Sequence, residues 1–136
     1  MFGHLRQYPL IVLLAMAGGV AMLIPTAQAL RSQEWETARI FFQSGLLINA
    51  LCMIVGVSMM NRKVQKVIRS HLVALLLAFS VVPLILALPI VLLMPEFSWF
   101  DAWFEMLSSI TTTGASLINV PSEAPEAIHL WRATVG

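Results

Sequence analysis

The sequence predicts an all-α integral membrane protein, and three observations support this fold class. Of the 136 residues, 59% are hydrophobic and only 11% are charged, whereas soluble domains are typically about 25% charged. Three long stretches carry no charge, and each exceeds the roughly 20 residues that a helix needs to cross the hydrocarbon core. The net charge of +1 and the single cysteine, Cys52, exclude a nucleic-acid binder, a disulfide framework and a cysteine-based zinc site.

The charge-free stretches predict spanning helices at Pro9–Leu30, Ile40–Met60 and Leu72–Met94. Helix is the only suitable structure for them, because a backbone in lipid must satisfy its own hydrogen bonds. The third stretch contains Pro83 and Pro89, which remove helical hydrogen bonds and predict a kink. Small residues in the first two spans predict close helix–helix contacts: Gly18, Gly19, Gly45 and Gly56.

The first span has a second interpretation, as a cleavable secretory leader. Arg6, the apolar run, Pro25 and the sequence Ala27-Gln28-Ala29 together resemble a signal peptide. Cleavage would leave two spans and a new terminus at Leu30. We expect the helix to be retained, because the charges of the loops are consistent with three spans.

Basic residues predict the orientation of the chain. The link at 62–71 holds four of the eight basic residues and no acidic residue, which is typical of a cytoplasmic loop. The N-terminus with Arg6 is then also cytoplasmic, and the chain after Met94 begins on the outer side. That outer segment is acidic, with Glu96, Asp101 and Glu105.

The segment after the third span predicts a short helix that enters the membrane and returns to the same side. Ser98 followed by Asp101 is a variant of the capping box and marks the start of a helix rich in aromatic residues. About ten residues of helix reach about 15 Å, half of the bilayer. A β-branched run from Ile110 to Thr113 and then Gly114 predict an extended return. Prolines and acidic residues soon afterwards leave no room for a full span.

The polar run at the end of this helix has the chemistry of a cation filter. Extended backbone can turn its carbonyl oxygens towards a dehydrated cation, and glycine permits the required backbone angles. The helix would also direct its negative C-terminal end at the ion. Two questions stay open from the residues alone. The cluster could instead be a helix-packing surface, and Glu105 could either brace the loop or lie exposed at the outer mouth.

The segment FDAWFEMLSSITTTGAS resembles the first pore loop of the Trk/Ktr/HKT superfamily of potassium-uptake membrane subunits. The family's FE-x-x-S-x-x-TTTG pattern is met by Phe104, Glu105, Ser108 and the run Thr111, Thr112, Thr113 and Gly114. MLIPTAQAL resembles the end of the first helix in the extra hairpin of the Trk branch. IHLWRATVG resembles the start of the helix that follows the pore loop.

The resemblance implies a Trk-type domain order. It gives an N-terminal transmembrane hairpin at 1–61, the basic cytoplasmic link at 62–71 and an incomplete first pore repeat at 72–136. The implied potassium ligands are the filter carbonyls of residues 111–114, with Glu105 and Ser108 supporting the loop. The implied location is the bacterial inner (plasma) membrane. No catalytic set is present, so we expect a protein that is not an enzyme and has no cofactor besides the transported K⁺.

One loop supplies a quarter of a ring of carbonyls, and the family pattern needs four. We therefore expect the chain to be a fragment of a longer protein that carries the remaining pore repeats. The resemblance also implies a homodimer and a cytoplasmic nucleotide-binding ring subunit as partners. The alternatives are a small membrane subunit that transports nothing, or a remnant, in which the Ser/Thr/Gly cluster only packs helices.

Overall fold

The computed structural model describes residues 10–59, 69–118 and 124–136, and among these residues it is all-helical with no strand. Three stretches are long and apolar enough to cross a membrane, namely Ile11–Arg31, Trp35–Ser58 and Leu75–Leu93. The predicted all-helical class and the predicted number of apolar spans are therefore confirmed. The helices are α1 (Leu10–Ala21), α2 (Leu23–Arg31), α3 (Trp35–Met59), α4 (Arg69–Leu86), α5 (Leu88–Leu93), α6 (Trp99–Ile110) and α7 (Glu126–Val135).

Helices α1 and α2 form one apolar span with a brief interruption at Met22. The amide of Met22 donates to Gly18 (3.1 Å), and its carbonyl accepts from Thr26 (3.2 Å), so the helical path continues. Pro25 has no amide hydrogen to donate to the carbonyl of Ala21, and this missing bond accounts for the irregular turn.

A three-residue turn joins this span to α3. Gln33 has a left-handed φ of 61°, and its amide donates to Leu30 (3.3 Å) while the amide of Glu34 donates to Ala29 (2.9 Å). These two bonds form a Schellman motif, which ends α2 sharply. Helix α3 then begins at Trp35, so the start predicted at Ile40 is wrong by five residues. Charged side chains end an apolar run but do not end a helix, because exposed helical turns tolerate them.

The third span is divided into α4 and α5 at Ala87. Pro83 lies inside α4 and Pro89 lies at the second position of α5. At the division the amide of Ile90 donates to Ala87 (3.0 Å), which leaves the carbonyl of Leu86 without its usual helical donor. The interruption expected from the two prolines is thus present, and it falls between them.

Helix α7 packs against other helices and contributes side chains to the buried interior of the described residues. It lies against α2 and α6, and Trp131 makes an edge-to-face contact with Phe41 of α3 at 6.2 Å between ring centroids. Outward faces are apolar as well, especially along α3, as expected for helices that face lipid. The largest fully buried apolar side chains include Trp131, Phe41, Met22, Ile90, Met106 and Ile128.

Candidate functional site

The short helix α6 begins with a complete capping box, as predicted. The hydroxyl of Ser98 accepts from the amide of Asp101 (3.2 Å), and the Asp101 carboxylate accepts from the amide (3.0 Å) and the hydroxyl (2.6 Å) of Ser98. These hydrogen bonds hold the pKa of the Asp101 carboxyl below its ordinary value of 3.8, because they stabilise the ionised form. The exposed start of α6 is therefore well defined.

The end of α6 is a Schellman motif with a threonine in the left-handed position. The amide of Thr112 donates to Ser109 (2.9 Å) and the amide of Thr113 donates to Ser108 (2.9 Å). Thr112 has a φ of 54°, which is unusual for a β-branched residue. The sequence predicts extended backbone from Ile110 onwards, but Ile110 is helical and Thr111 and Thr112 form a turn. The two capping bonds account for the difference from the predicted extended backbone, because they extend the helical path through Ile110 and into the turn.

After this turn, the chain runs back along α6. The hydroxyl of Ser108 donates to the carbonyl of Ala115 (2.7 Å). Further along, the carboxylate of Glu105 accepts from the hydroxyl of Ser116 (3.0 Å) and from the amide of Leu117. Residues 115–117 therefore lie beside the last two turns of the helix. We call residues 115–117 the return strand. The name refers only to the direction of the chain, which runs back along α6, since its backbone forms no sheet among the described residues.

Glu105 and Arg132 form an ion pair behind the return strand. The carboxylate of Glu105 is fully buried, and its Oε2 lies 2.9 Å from Nε of Arg132, whose side chain is 16% exposed. The two terminal nitrogens of Arg132 donate to the hydroxyl of Ser116 (3.1 Å) and the carbonyl of Ala115 (3.3 Å). A buried carboxylate thus has both a cationic partner and hydrogen-bond donors, which compensate for its removal from water.

Sequence reasoning singled out Glu105 and Ser108 but missed Arg132. One signal was available: an acidic residue inside an apolar helix requires a partner, and Arg132 is the only Lys or Arg after Arg69. The structure brings Glu105, Ser108 and Arg132 together around the return strand. It shows that the Glu105 carboxylate is buried and hydrogen-bonded to the loop, rather than exposed.

The four predicted filter residues lie together on the exposed turn between α6 and the return strand. The hydroxyls of Thr111 and Thr113 are 2.8 Å apart, and the Thr111 carbonyl accepts from the hydroxyl of Thr112 (2.7 Å). No donor in the described part of the chain contacts the carbonyl oxygens of Thr112, Thr113 and Gly114. A methyl group added at Gly114 would meet no atom within 4 Å, so its φ of 73°, and not lack of space, favours glycine.

This arrangement offers uncharged oxygen atoms as possible ligands. Carbonyl and hydroxyl oxygens suit a hard cation, and the ion pair beneath them is neutral overall. In the described ranges, no group of three His, Cys, Asp or Glu side chains could hold a metal ion. Three carbonyl oxygens are too few to enclose a cation by themselves.

Neither the protein-family models nor the curated proteins with which the chain was compared match it. The resemblance to a pore loop therefore depends on the residues quoted above alone. Arg6 and the greater part of the basic link at 62–71 lie outside the described residues.

Proposed function

We propose that this chain contributes one ion-coordinating loop to a transmembrane pathway for potassium, as part of a Trk-type uptake system in a bacterial plasma membrane. One observation carries the proposal. The carbonyl oxygens of Thr112, Thr113 and Gly114 lie on an exposed turn without donors from the described residues, and a buried ion pair supports the chain directly behind them.

The backbone angles of this turn suit carbonyl coordination. Thr112 and Gly114 have positive φ values of 54° and 73°, whereas Thr113 between them does not. Positive φ at two of three successive residues keeps this segment out of the regular extended conformation of a β-strand. Neighbouring carbonyl oxygens can then replace part of the water shell of a monovalent cation.

The dimensions of α6 suit a helix that enters the membrane only partway. Its 12 residues reach about 18 Å, little more than half of the hydrocarbon core. The capped start carries Trp99, Phe100 and Trp103, which are suited to the membrane–water interface. Non-helical backbone at that depth requires protein or a water-filled cavity around it, and residues 111–114 would line such a cavity.

A single loop cannot enclose an ion, so the proposal includes three further loops around the same axis. They would come from further pore repeats of a longer polypeptide or from neighbouring chains. Dimerisation and a cytoplasmic nucleotide-binding regulator are additional proposals that follow from the resemblance. The ion would move inward down its electrochemical gradient after partial dehydration at the carbonyls.

The competing hypothesis is a membrane module that transports nothing and uses its small residues only for packing. Close packing in this chain occurs elsewhere, at Gly19 and Gly45, where the backbones of α1 and α3 approach each other. Residues 111–114 lie outside the helices and are exposed. Their position therefore favours coordination over packing within this chain.

Replacement of Gly114 by leucine in the intact protein tests the proposal. The new side chain would extend into the space that is open beside Gly114, and the positive φ would no longer be favourable. We expect potassium uptake by cells that lack other uptake systems to fall to background with normal membrane insertion. Ala50→Leu, on the exposed surface of α3, is the control and should leave uptake unchanged. Normal uptake by the inserted Gly114→Leu protein would refute the proposal.

A further inference from the structure

Contacts with Arg132 and with residues of α6 hold the return strand. Arg132 alone makes three: to the Glu105 carboxylate, to the Ser116 hydroxyl and to the Ala115 carbonyl. An arginine can make all three at once because its guanidinium group presents several donors in a fixed plane. Residues 105 and 132 lie on different helices, so this group ties α6, the return strand and α7 together.

The carbonyl of Ala115 is the first one after the proposed ligands that has donors. It accepts from the Ser108 hydroxyl at 2.7 Å and from Arg132 at 3.3 Å. Two donors occupy both lone pairs of this oxygen, so it cannot also face a cation. The carbonyl of Gly114, one residue earlier, accepts from none of the described residues. Within this segment, donors from the described residues therefore begin at the carbonyl of Ala115.

We infer that Arg132 is a positioning residue that determines ion selectivity. By holding the Ala115 carbonyl and the Ser116 hydroxyl, it keeps the peptide group after Ala115 away from the ion and makes the carbonyl of Gly114 the last one available. This inference rests on the proposed function. It adds that a residue on α7, which touches no proposed ligand, controls how many carbonyls this loop presents and how rigidly they are held.

The strength with which Arg132 holds the return strand depends on charge and burial. The Glu105 carboxylate is fully buried, so loss of Arg132 leaves a buried charge with only neutral donors. Hydrogen bonds to charged groups are each stronger than neutral ones, and here several act on one short segment. Without them the return strand can shift, and a filter that shifts distinguishes poorly between cations of different size.

Two substitutions separate the charge of Arg132 from its geometry. Arg132→Lys keeps a cation for Glu105, but a single ammonium group cannot reach the Ala115 carbonyl and the Ser116 hydroxyl at the same time. Arg132→Gln removes the charge as well. Arg39→Lys and Arg39→Gln are the matched controls, because Arg39 is exposed on α3.

The first measurement is potassium uptake by the intact protein in competition with sodium. We expect Arg132→Lys to insert normally and to lower the preference for potassium over sodium by about tenfold, the effect of one lost charge-assisted hydrogen bond. Arg132→Gln should lower it at least as much, and both Arg39 variants should retain the original preference. A purely structural role would instead reduce the amount of inserted protein and leave the preference unchanged.

The second measurement follows the return strand without any transport. Ala115→Cys is introduced with Cys52→Ala, so that the half-buried position 115 carries the only thiol of these 136 residues, and any cysteine elsewhere in the intact protein is replaced as well. We expect Arg132→Lys and Arg132→Gln to raise the rate of maleimide labelling of the solubilised protein by about tenfold, since released backbone exposes the thiol.

The two measurements distinguish failure of the inference from failure of the proposed function. If the ion preference does not change in the inserted Arg132 variants of a protein that transports potassium, the inference is wrong, whatever the labelling rate. If the unaltered protein transports no cation, the proposed function is wrong and with it the role in selectivity. In that case the labelling rate still decides whether Arg132 positions the return strand.

Discussion

The indole of Trp131 donates from Nε1 to the carbonyl oxygen of Leu86, 3.2 Å away in the buried interior. That carbonyl lacks its usual helical partner, because the amide of Ile90 donates instead to Ala87. Helix α7 therefore supplies the hydrogen bond that the division of the third span leaves missing. The same indole also contacts the ring of Phe41, so the side chain of Trp131 on α7 joins this helix to α3 and α4.

Removal of this donor is expected to destabilise the fold. Trp131→Phe keeps an aromatic ring against Phe41 but leaves the Leu86 carbonyl buried without a donor, at a cost of about 1–3 kcal/mol. The measurement is the free energy of unfolding in detergent micelles. Trp35→Phe is the control, because Trp35 is 70% exposed and should change stability little. Equal stability of the Trp131→Phe and Trp35→Phe proteins would contradict the role of this hydrogen bond.

The contact between α1 and α3 predicts different costs for two glycine substitutions. A methyl group at Gly45 would lie 2.7 Å from the carbonyl oxygen of Gly19, which belongs to the backbone and cannot move alone. A methyl group at Gly18 would lie 2.5 Å from the end of the Leu86 side chain, which can change rotamer. We expect Gly45→Ala to destabilise the protein by about 1–3 kcal/mol and Gly18→Ala by less. Unfolding of both variants in detergent checks the order, and the reverse order would show that the helices do not pack as described.

Features that depend on local composition could be predicted from the sequence. The three apolar spans follow from charge-free stretches, since burial of charge in lipid is costly whatever the rest of the chain does. The capping box at Ser98 and Asp101 follows from spacing within one turn. The close contact at Gly19 and Gly45 was expected from small residues in adjacent spans, because only such residues let two backbones approach.

Features that depend on partners distant in sequence could not be predicted. Glu105 stood out as an acid in an apolar helix, but the sequence does not state whether it faces solvent or Arg132, 27 residues later. Helix ends were also misplaced. Helix α3 starts at Trp35 because exposed helical turns tolerate charged side chains. The turn after α6 includes Thr112 because the capping hydrogen bonds outweigh its β-branched character.

The capping box makes the stability of α6 depend on pH. The folded-state pKa of Asp101 lies below its ordinary value of 3.8, so its contribution is complete above that value. The contribution is lost as the pH falls through the lowered pKa, because the protonated carboxyl no longer accepts both bonds. We expect Asp101→Asn to abolish this part of the acid sensitivity, measured as unfolding at pH about 2–6.

Glu36→Gln is the matched control for this experiment. Glu36 lies in the first turn of α3 and is exposed, so its removal tests whether any acidic residue near a helix start has the same effect. The expected result is that the Glu36→Gln protein keeps the acid sensitivity of the original. If Asp101→Asn and Glu36→Gln lower the sensitivity equally, the capping box is not its source.

The two left-handed residues of the proposed filter predict opposite effects of substitution. Thr112 is a β-branched residue at φ 54°, whereas Gly114 at φ 73° is the residue type that this region favours. We expect Thr112→Gly to stabilise the protein by about 1 kcal/mol and Gly114→Ala to destabilise it by about the same amount. Since nothing lies within 4 Å of the added methyl group at Gly114, the second effect would arise from backbone strain alone.

Transport measurements on the same two variants test which atoms contact the ion. Thr112→Gly removes a hydroxyl but preserves the carbonyl row, so potassium uptake should continue if carbonyl oxygens are the ligands. Gly114→Ala disfavours the positive φ of the turn that carries those carbonyls, so uptake should fall although no contact is lost. Loss of uptake in Thr112→Gly with normal uptake in Gly114→Ala would assign coordination to the threonine hydroxyl instead, because the backbone of the turn would then be dispensable.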